Sequence, residues 1–513
     1  MKSIRLLLLL PFYLSITTIS PAQPATTHAA ATVPALLLSD IHLDPFHDPT
    51  KFAELRSAPA SAWAAILYAP PSPTQAADYA NLQHTCNAKG IDTPPALLDS
   101  ALHAALRQQP HPLFVTISGD LLAHQFDCRF HTLAPSATDA DYSAFAAKTI
   151  AFVALQLHQT FPHSAIYFAL GNNDSGCKDY REDPNSAFLQ TDAQSFSADA
   201  LSSTNRADIL HEFPQLGDYN IALPAPIQHT RLIVLQDIFE SKKYTACNGV
   251  ESDDAATQQI AWLRTQLTAA RAAHQHVWIM AHIPPGIDAY STFIKHRNVC
   301  GGKSPEMFLG SEALANTLTN FPDVIRLALF GHTHMDEFRT YTTPDSAIPG
   351  KLVPSITPVN GNNPAFTVAA IEPTTATLKD YTVFATRNQT DTAQTGATNS
   401  WDNKNIAWSK EYSFSTTYHL PDLSGRSLAK LTNSFLDDKS GTSEASHSYQ
   451  QFFYAGEPAA VKGISTSAKA AAMQIVWPTY ACAITHADGA SFQSCVCPVA
   501  PTTPLTPSSD GGQ

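Results

Sequence analysis

Residues 113–120 read LFVTISGD, a mostly apolar run that ends in a serine, a glycine and an aspartate. Short runs rich in Val, Ile, Leu and Phe are typical of buried strands. The glycine lets the backbone turn sharply where such a strand ends. The segment therefore predicts a buried strand that delivers Asp120 to the edge of a sheet.

Four further apolar runs end in polar clusters. They are 35–38 before Ser39-Asp40-Ile41-His42, 166–170 before Gly171-Asn172-Asn173-Asp174, 277–281 before His282, and 324–330 before Gly331-His332-Thr333-His334. Helical stretches separate the runs, most clearly at 94–108, 142–159, 256–273 and 305–319. This alternation predicts an α/β sheet with several parallel strands. Ligands bind beyond the carboxyl ends of strands in such sheets, so we expect the five clusters to converge.

A single Asp-x-His pair is weak evidence for a metal site, because such a pair arises by chance in a chain with 21 histidines. The five polar clusters are informative because they occur together and in a fixed order. Together they supply carboxylate, amide and imidazole ligands without a thiolate, which suits Zn, Mn or Fe. Two ions about 3.5–4 Å apart can clamp the attacking and leaving oxygens of a phosphoryl transfer and lower the pKa of a shared water. The ordered set therefore predicts a two-metal hydrolytic site.

This set resembles the signature of the calcineurin-like metallophosphoesterases, from about residue 33 to 386. The resemblance implies an α/β fold of four layers, an αββα sandwich, and two divalent metal ions, with zinc favoured over manganese or iron. It implies that Asp40, His42, Asp120 and His334 hold one metal, and that Asp120, Asn172, His282 and His332 hold the other. Asp120 would bridge the two.

Other segments look like the acid-sphingomyelinase branch of that family. They are Ser118 to His124, Pro354 to Pro358, Asn363 to Phe366, and the aromatic series from Trp408 to Tyr418 that opens the C-terminal lobe of those enzymes. The resemblance implies hydrolysis of a phosphodiester, sphingomyelin-like or nucleotide-like, by a metal-bound hydroxide that attacks phosphorus in line.

One residue departs from the family pattern. The family usually has Gly-Asn-His-Asp or Gly-Asn-His-Glu, whereas this chain has Asn173 in place of the histidine. An asparagine donates a hydrogen bond to a phosphate oxygen but carries no titratable proton. His124 therefore becomes the candidate acid for the leaving group, and we expect His124, Asn173 and His332 near the phosphoryl oxygens.

Two other functions stay open. Related enzymes of this fold also cleave phosphomonoesters, nucleotides and polyphosphate. A non-catalytic exported binding protein could keep the fold, although the intact ligand set argues against it.

Net charge and chain length limit the kinds of partner and the number of domains that the sequence predicts. The net charge of -13 argues against a nucleic-acid-binding surface. The resemblance to the acid-sphingomyelinase branch implies a small-molecule or lipid-headgroup phosphoester as substrate. The length of 513 residues allows a catalytic domain at 33–386 and a small helical lobe at 400–497. A polar linker at 386–399 and a disordered tail at 498–513 are expected.

The N-terminus and the cysteines predict export. Residues 1–25 combine a basic start, a short apolar run and small residues, as in a signal peptide cleaved after Ala22 or Ala25. No apolar segment is long enough to span a membrane. The eight cysteines suit an oxidising compartment, either the periplasm or the medium. Proximity in the sequence suggests that Cys247 pairs with Cys300, and Cys482 with Cys495 or Cys497. The sequence does not identify the oligomeric state.

Overall fold

A computed structural model describes residues 31–343, 346–388, 406–459 and 465–497 of the chain. The described strands are β1 (Val33–Leu38), β2 (Phe114–Ser118), β3 (Ala165–Ala169), β4 (Tyr219–Ala222), β5 (Thr230–Val234), β6 (His276–Met280), β7 (Ile325–Phe330), β8 (Glu337–Thr342), β9 (Ala347–Leu352), β10 (Ala365–Glu372), β11 (Thr377–Thr386) and β12 (Trp408–Ser413). The predicted leader, the predicted tail and most of the predicted linker lie outside the described residues.

Helices lie between and after these strands. They are α1 (Phe52–Ser57), α2 (Trp63–Leu67), α3 (Gln75–Thr85), α4 (Pro95–Gln108), α5 (Phe126–Leu133), α6 (Asp139–Thr160), α7 (Ala187–Ala198), α8 (Ser203–Leu216), α9 (Asp254–Ala272), α10 (Ala289–Ile294), α11 (Ala313–Thr319), α12 (Phe414–Tyr418), α13 (Gly425–Asp437), α14 (Glu444–Phe452), α15 (Thr466–Thr485) and α16 (Gly489–Val496). The longest, α6, begins at a capping box in which the Thr138 side chain accepts from Asp141 N and the Asp141 carboxylate accepts from Thr138 N.

The strands form two sheets of six. The first has the order β12-β11-β10-β1-β2-β3 and the second β4-β5-β6-β7-β9-β8. Strands β1, β2 and β3 are parallel, as are β5, β6, β7 and β9. The five strands expected from the apolar runs are all present, each within about two residues of its expected bounds.

Alternate residues of β6 show why the layers stack. Trp278 packs toward the first sheet, where its ring lies 5.9 Å from the Phe114 ring and its indole N–H donates to Ala376 O. Val277 and Ile279 join a second core with Leu263 of α9. Successive strand residues point to opposite faces, so β6 is buried on both. The α/β sandwich predicted from the sequence is confirmed.

The parallel register brings the polar loops to one edge. Leu38 of β1 is level with Ile117 of β2, and Ser118 is level with Ala169 of β3. The loops that follow these strands therefore begin side by side at the carboxyl end of the first sheet.

One expected helix is shorter than the sequence suggested. The helix expected at 305–319 begins only at Ala313, because Glu306 turns inward to meet Lys242 and Arg297 and Gly310 packs tightly against the Glu240 carbonyl.

The C-terminal region contains the expected helices, but it begins with a strand that the sequence did not predict. Its first described element, β12, pairs antiparallel with β11 at the edge of the first sheet. Trp408 packs against Phe366 and the Tyr412 hydroxyl meets Tyr381, so aromatic side chains that suggested a helix instead stabilise a strand. Five helices, α12 to α16, follow it in the described part of the chain.

All eight cysteines form disulfides, Cys86–Cys128, Cys177–Cys247, Cys300–Cys497 and Cys482–Cys495. The expected Cys247–Cys300 bond is wrong, because Cys247 is held against the loop after β3 instead. The expected bond between Cys482 and Cys495 is confirmed. Among the described residues, no helix combines the length and the apolar character needed to cross a bilayer.

Candidate metal centre

Strained backbone places the predicted ligands. The φ angle is +46° at Asp40, +45° at His42, +56° at Asp120, +71° at His332 and +67° at His334. A positive φ is uncommon outside glycine and costs about 1–3 kcal/mol, so it persists where the surroundings enforce it. The turns after β1, β2 and β7 thus direct five side chains toward one place.

The glycines of the polar clusters permit close approach. A Cβ on Gly119 would lie 2.6 Å from His282 Nδ1. A Cβ on Gly171 would overlap the Asp120 side chain. No residue with a side chain fits at either position without a shift in the ligands.

A first group of ligand atoms comes from the loops after β1, β2 and β7. Asp40, His42, Asp120 and His334 each offer one atom, and these atoms lie within 4.8 Å of one another. His42 Nε2 lies 3.3 Å from Asp120 Oδ2 and 3.3 Å from His334 Nε2. All four side chains are buried.

A second group shares Asp120 with the first. Asp120, His282 and His332 offer atoms within the same 4.8 Å limit. His282 Nε2 lies 3.1 Å from Asp120 Oδ2, and Asn172 Oδ1 lies 2.9 Å from His332 Nδ1. Asp120 is therefore the one carboxylate that belongs to both groups.

The Nδ1 atoms of two histidines make contacts with backbone carbonyls that favour metal binding through Nε2. His42 Nδ1 lies 2.7 Å from Leu122 O and His282 Nδ1 lies 2.8 Å from Ser118 O. A ring nitrogen that donates its proton to a carbonyl leaves the other nitrogen as a lone-pair ligand. His282 Nε2 is buried, and among the described residues no group forms a well-aligned hydrogen bond with it, although Asp120 Oδ2 lies 3.1 Å away. Buried polar atoms seldom lack a partner, and a metal ion would supply one.

The charges also suit a cation. Burial disfavours the ionised Asp120, but His282 and His42 outweigh that effect and hold its pKa well below the usual range. Burial and the neighbouring Asp120 charge raise the pKa of Asp40 to about 7, although His282 opposes them. Burial lowers the pKa of His332 to about 3 and that of His42 to about 4. Metal binding requires ionised carboxylates and neutral imidazoles, and Asp120, His42 and His332 are close to that state. Burial lowers the pKa of His282, but Asp120 outweighs that effect and raises it to about 10, so a metal must displace this proton.

Asp174 and Asn173 brace the shared carboxylate. The Asp174 carboxylate accepts backbone hydrogen bonds from Gly171, Leu121 and Leu122, which joins the loops after β2 and β3. The Asn173 backbone N–H lies 2.8 Å from Asp120 Oδ1, and its amide nitrogen lies 2.9 Å from Asp120 Oδ2. The side chain that replaces the family histidine is thus engaged with Asp120.

His124 lies beside the first group. Its ring stacks on the His42 ring, with centroids 4.1 Å apart. Its Nδ1 lies 2.8 Å from Asp92 Oδ1. Burial lowers the pKa of His124, but Asp92 outweighs that effect and raises it.

The structure brings all nine predicted site residues to this edge of the sheets. Sequence reasoning missed Asp92 and Asp237, whose carboxylates support His124 and the backbone of His282 and Ile283. It also missed Asn360, whose side chain lies 3.1 Å from His334 Nδ1. None of these residues follows the glycine-and-ligand pattern, so the local sequence carries no signal for them.

Two facing sheets with carboxylate, amide and imidazole groups gathered at the strand ends define a metallophosphoesterase. The chain matches the family Calcineurin-like phosphoesterase over residues 33–336, more than half of its length, and it belongs to that family. The family is hydrolytic and uses a dinuclear metal site. The protein is therefore a phosphoric ester hydrolase.

Several named relatives match about two thirds of the chain or more. Acid sphingomyelinase-like phosphodiesterase 3b of Homo sapiens is 27% identical over 364 residues, covering 68% of this chain and 71% of the relative. Sphingomyelinase phosphodiesterase D of Dictyostelium discoideum is 25% identical, covering 71% and 74%. Cyclic GMP-AMP phosphodiesterase SMPDL3A of Bos taurus is 24% identical, covering 66% and 68%. The chain thus resembles the acid-sphingomyelinase branch.

Proposed function

We propose that the protein is an exported phosphodiesterase with two metal ions, of which Asp120 is the shared ligand. The observation that carries this proposal is the position of Asp120 Oδ2, 3.3 Å from His42 Nε2 and 3.1 Å from His282 Nε2. A carboxylate shared by two groups of ligands can help to balance two dications at short range.

The proposed ligand sets follow the two groups. Asp40, His42, Asp120 and His334 hold one ion, and Asp120, Asn172, His282 and His332 hold the other. Oxygen and imidazole nitrogen donors without thiolate suit zinc, manganese or iron, and the four histidines favour zinc. Two such ions, when bound, clamp the phosphoryl oxygens and lower the pKa of a water between them.

The residues of the chain then position the substrate and move the proton. His332 and Asn173 lie at the centre and can orient the phosphoryl oxygens. His124 is the proposed acid that protonates the leaving alkoxide. Its Nδ1 is occupied by Asp92, so Nε2 is the atom free to donate.

A diester substrate is supported by the relatives, whose names specify a sphingomyelin or a cyclic dinucleotide phosphodiester. A phosphomonoesterase or polyphosphatase of the same fold, or a non-catalytic binding protein, is the alternative. A panel on the purified protein separates these functions: a bis-aryl diester, an aryl monoester, sphingomyelin, nucleotides and polyphosphate, each with zinc and with manganese. We expect the highest metal-dependent kcat/KM on a diester. A preference for the monoester or for polyphosphate, or no turnover at all, would contradict the proposal.

Export is supported by four disulfides, which form in oxidising compartments. We expect the mature chain to begin between Gln23 and Thr26. Mass spectrometry that finds an intact leader and eight free thiols would contradict export.

A further inference from the structure

Lys243 lies in the loop after β5, beside the proposed metal centre. Its ammonium nitrogen lies 4.4 Å from the centre of the Tyr180 ring and 3.4 Å from the Tyr180 hydroxyl. Tyr180 N donates to Asn172 O at 2.9 Å, and Asn172 Oδ1 lies 2.9 Å from His332 Nδ1. Only Tyr180 therefore lies between this cation and Asn172, and Tyr180 and Asn172 lie between it and His332; both Asn172 and His332 are expected metal ligands.

The loop that carries Lys243 is fixed to the loop that carries Asn172. The Cys177–Cys247 disulfide joins them covalently. Thr245 N donates to Tyr180 O at 3.2 Å. These two links fix the position of the Lys243 loop relative to the proposed metal centre.

Lys243 differs from its neighbour Lys242 in its partners. Lys242 Nζ lies 2.7 Å from Glu306, whereas no described carboxylate forms an ion pair with Lys243. The carboxylates within electrostatic reach are Asp179 and Asp288, and Asp179 already accepts from the Asn172 amide at 2.8 Å. Lys243 is thus an exposed positive charge without an ion-pair partner among the described residues. In a protein of net charge -13, such a charge provides a local site at which an anion can bind.

We infer that Lys243 binds a second anionic group of the substrate, so that a phosphodiester bearing an additional phosphate is preferred over the same diester without it. The inference rests on the proposed phosphodiesterase function and specifies its substrate class. The additional charge lies on a part of the substrate that does not react, and its contact with an ammonium group is a charge-assisted hydrogen bond.

Two chromogenic esters that differ only in that phosphate test the inference. One is the p-nitrophenyl ester of thymidine 5′-phosphate, and the other is the same ester with a 3′-phosphate. Both release p-nitrophenolate from the same diester. We expect the zinc-loaded wild-type protein to prefer the 3′-phosphorylated ester, and Lys243→Gln to lower the ratio of the two kcat/KM values about tenfold.

Lys242→Gln is the matched control, because it removes the same charge from the same loop but from a lysine paired with Glu306. It should leave the ratio at the wild-type value. Raising the salt from about 0.05 M to about 0.5 M should lower the ratio in the wild type and much less in Lys243→Gln, because salt screens exposed charges.

An unchanged ratio in an active Lys243→Gln protein would overturn the subsite while the proposed function stands. An equal fall in Lys242→Gln would attribute the preference to net charge and would also overturn it. Absence of metal-dependent turnover of both esters in the wild type would overturn the proposed function and the inference together.

Discussion

The His124 imidazole stacks on the His42 imidazole, with ring centroids 4.1 Å apart and an angle of 18° between the planes. Asp92 Oδ1 lies 2.8 Å from His124 Nδ1, and Asp92 Oδ2 accepts from the His124 backbone N–H at 2.9 Å. The ring is thereby fixed between a buried carboxylate and a proposed metal ligand. The proposed leaving-group acid thus lies beside the proposed metal centre and outside the proposed ligand sets.

Replacement of His124 by alanine should separate two classes of substrate. An alkoxide is a poor leaving group, so its departure gains roughly 10²–10⁴-fold from a general acid, whereas a nitrophenolate gains little. We expect His124→Ala to slow an alkyl diester far more than an aryl diester and to leave the metal content unchanged. Steady-state kinetics on both esters, with metal analysis, measure this.

His103→Ala is the control for His124→Ala. His103 also pairs with an aspartate, at 3.2 Å from Asp99, but its side chain is 62% exposed and lies on α4. It should leave both rates near the wild-type values. Equal loss on the two esters, or loss of metal, in His124→Ala would show that the residue has a structural role.

Asp92→Asn should reproduce part of the His124 phenotype. The amide keeps a hydrogen-bond acceptor for His124 but removes the charge that holds the ring and favours its protonated form. We expect the alkyl diester to lose about tenfold or more relative to the aryl diester. Asp44→Asn is the control, because Asp44 shares Arg129 with Asp92 but does not contact His124. A similar change of the ratio in Asp44→Asn would attribute the effect to the buried arginine.

The disulfides should differ in what they contribute to stability. Cys86–Cys128 closes a separation of 42 residues and Cys482–Cys495 one of 13. Loop-closure entropy predicts losses of about 4 and about 3 kcal/mol on removal. Urea unfolding of the Cys86→Ser, Cys128→Ser and Cys482→Ser, Cys495→Ser double variants measures both. A larger loss for the shorter loop would contradict the entropic account.

Glu306 predicts a pH-dependent stability. A hydrogen bond from Lys242, with those from Arg297 and Lys295, lowers the pKa of Glu306 to about 2, while burial opposes this. A depressed carboxyl pKa stabilises the fold above the unfolded value of about 4.5, and that contribution is lost as the pH falls toward 2. We expect Glu306→Gln to cost about 1–2 kcal/mol at pH 7.

The difference between Glu306→Gln and the wild type should shrink between about pH 4.5 and about pH 2. Glu251→Gln, at an exposed position, is the control and should unfold like the wild type throughout. A difference that stays constant across this range would show that the glutamate acts through packing.

The sequence was sufficient to predict the strands and ligands that follow one repeated pattern. An apolar run, a glycine and a ligand recur, and β2 with Asp120 or β7 with His332 follow directly from that pattern. The same local logic failed at β12, because an edge strand of aromatic and polar residues depends on β11 for its pairing.

Long-range contacts explain the other omissions. Asp92 meets His124 across 32 positions, and Cys300 meets Cys497 across 197, so neither pairing leaves a local signature. The hydrogen bonds from Asn173 to Asp120 could not be predicted either, because the sequence pattern indicated only that the Asn173 amide would lie near the phosphate.

The metal content of Asp120→Asn tests the central proposal most directly, with Asp323→Asn as control because that carboxylate pairs with Arg271 on the surface. Native mass spectrometry and elemental analysis of the zinc-loaded proteins count the ions, and diester turnover is measured on the same samples. We expect two ions and full activity in the wild type and in Asp323→Asn. Asp120→Asn should retain at most one ion and have no measurable turnover. Two ions with near-normal turnover in Asp120→Asn would contradict the proposed site.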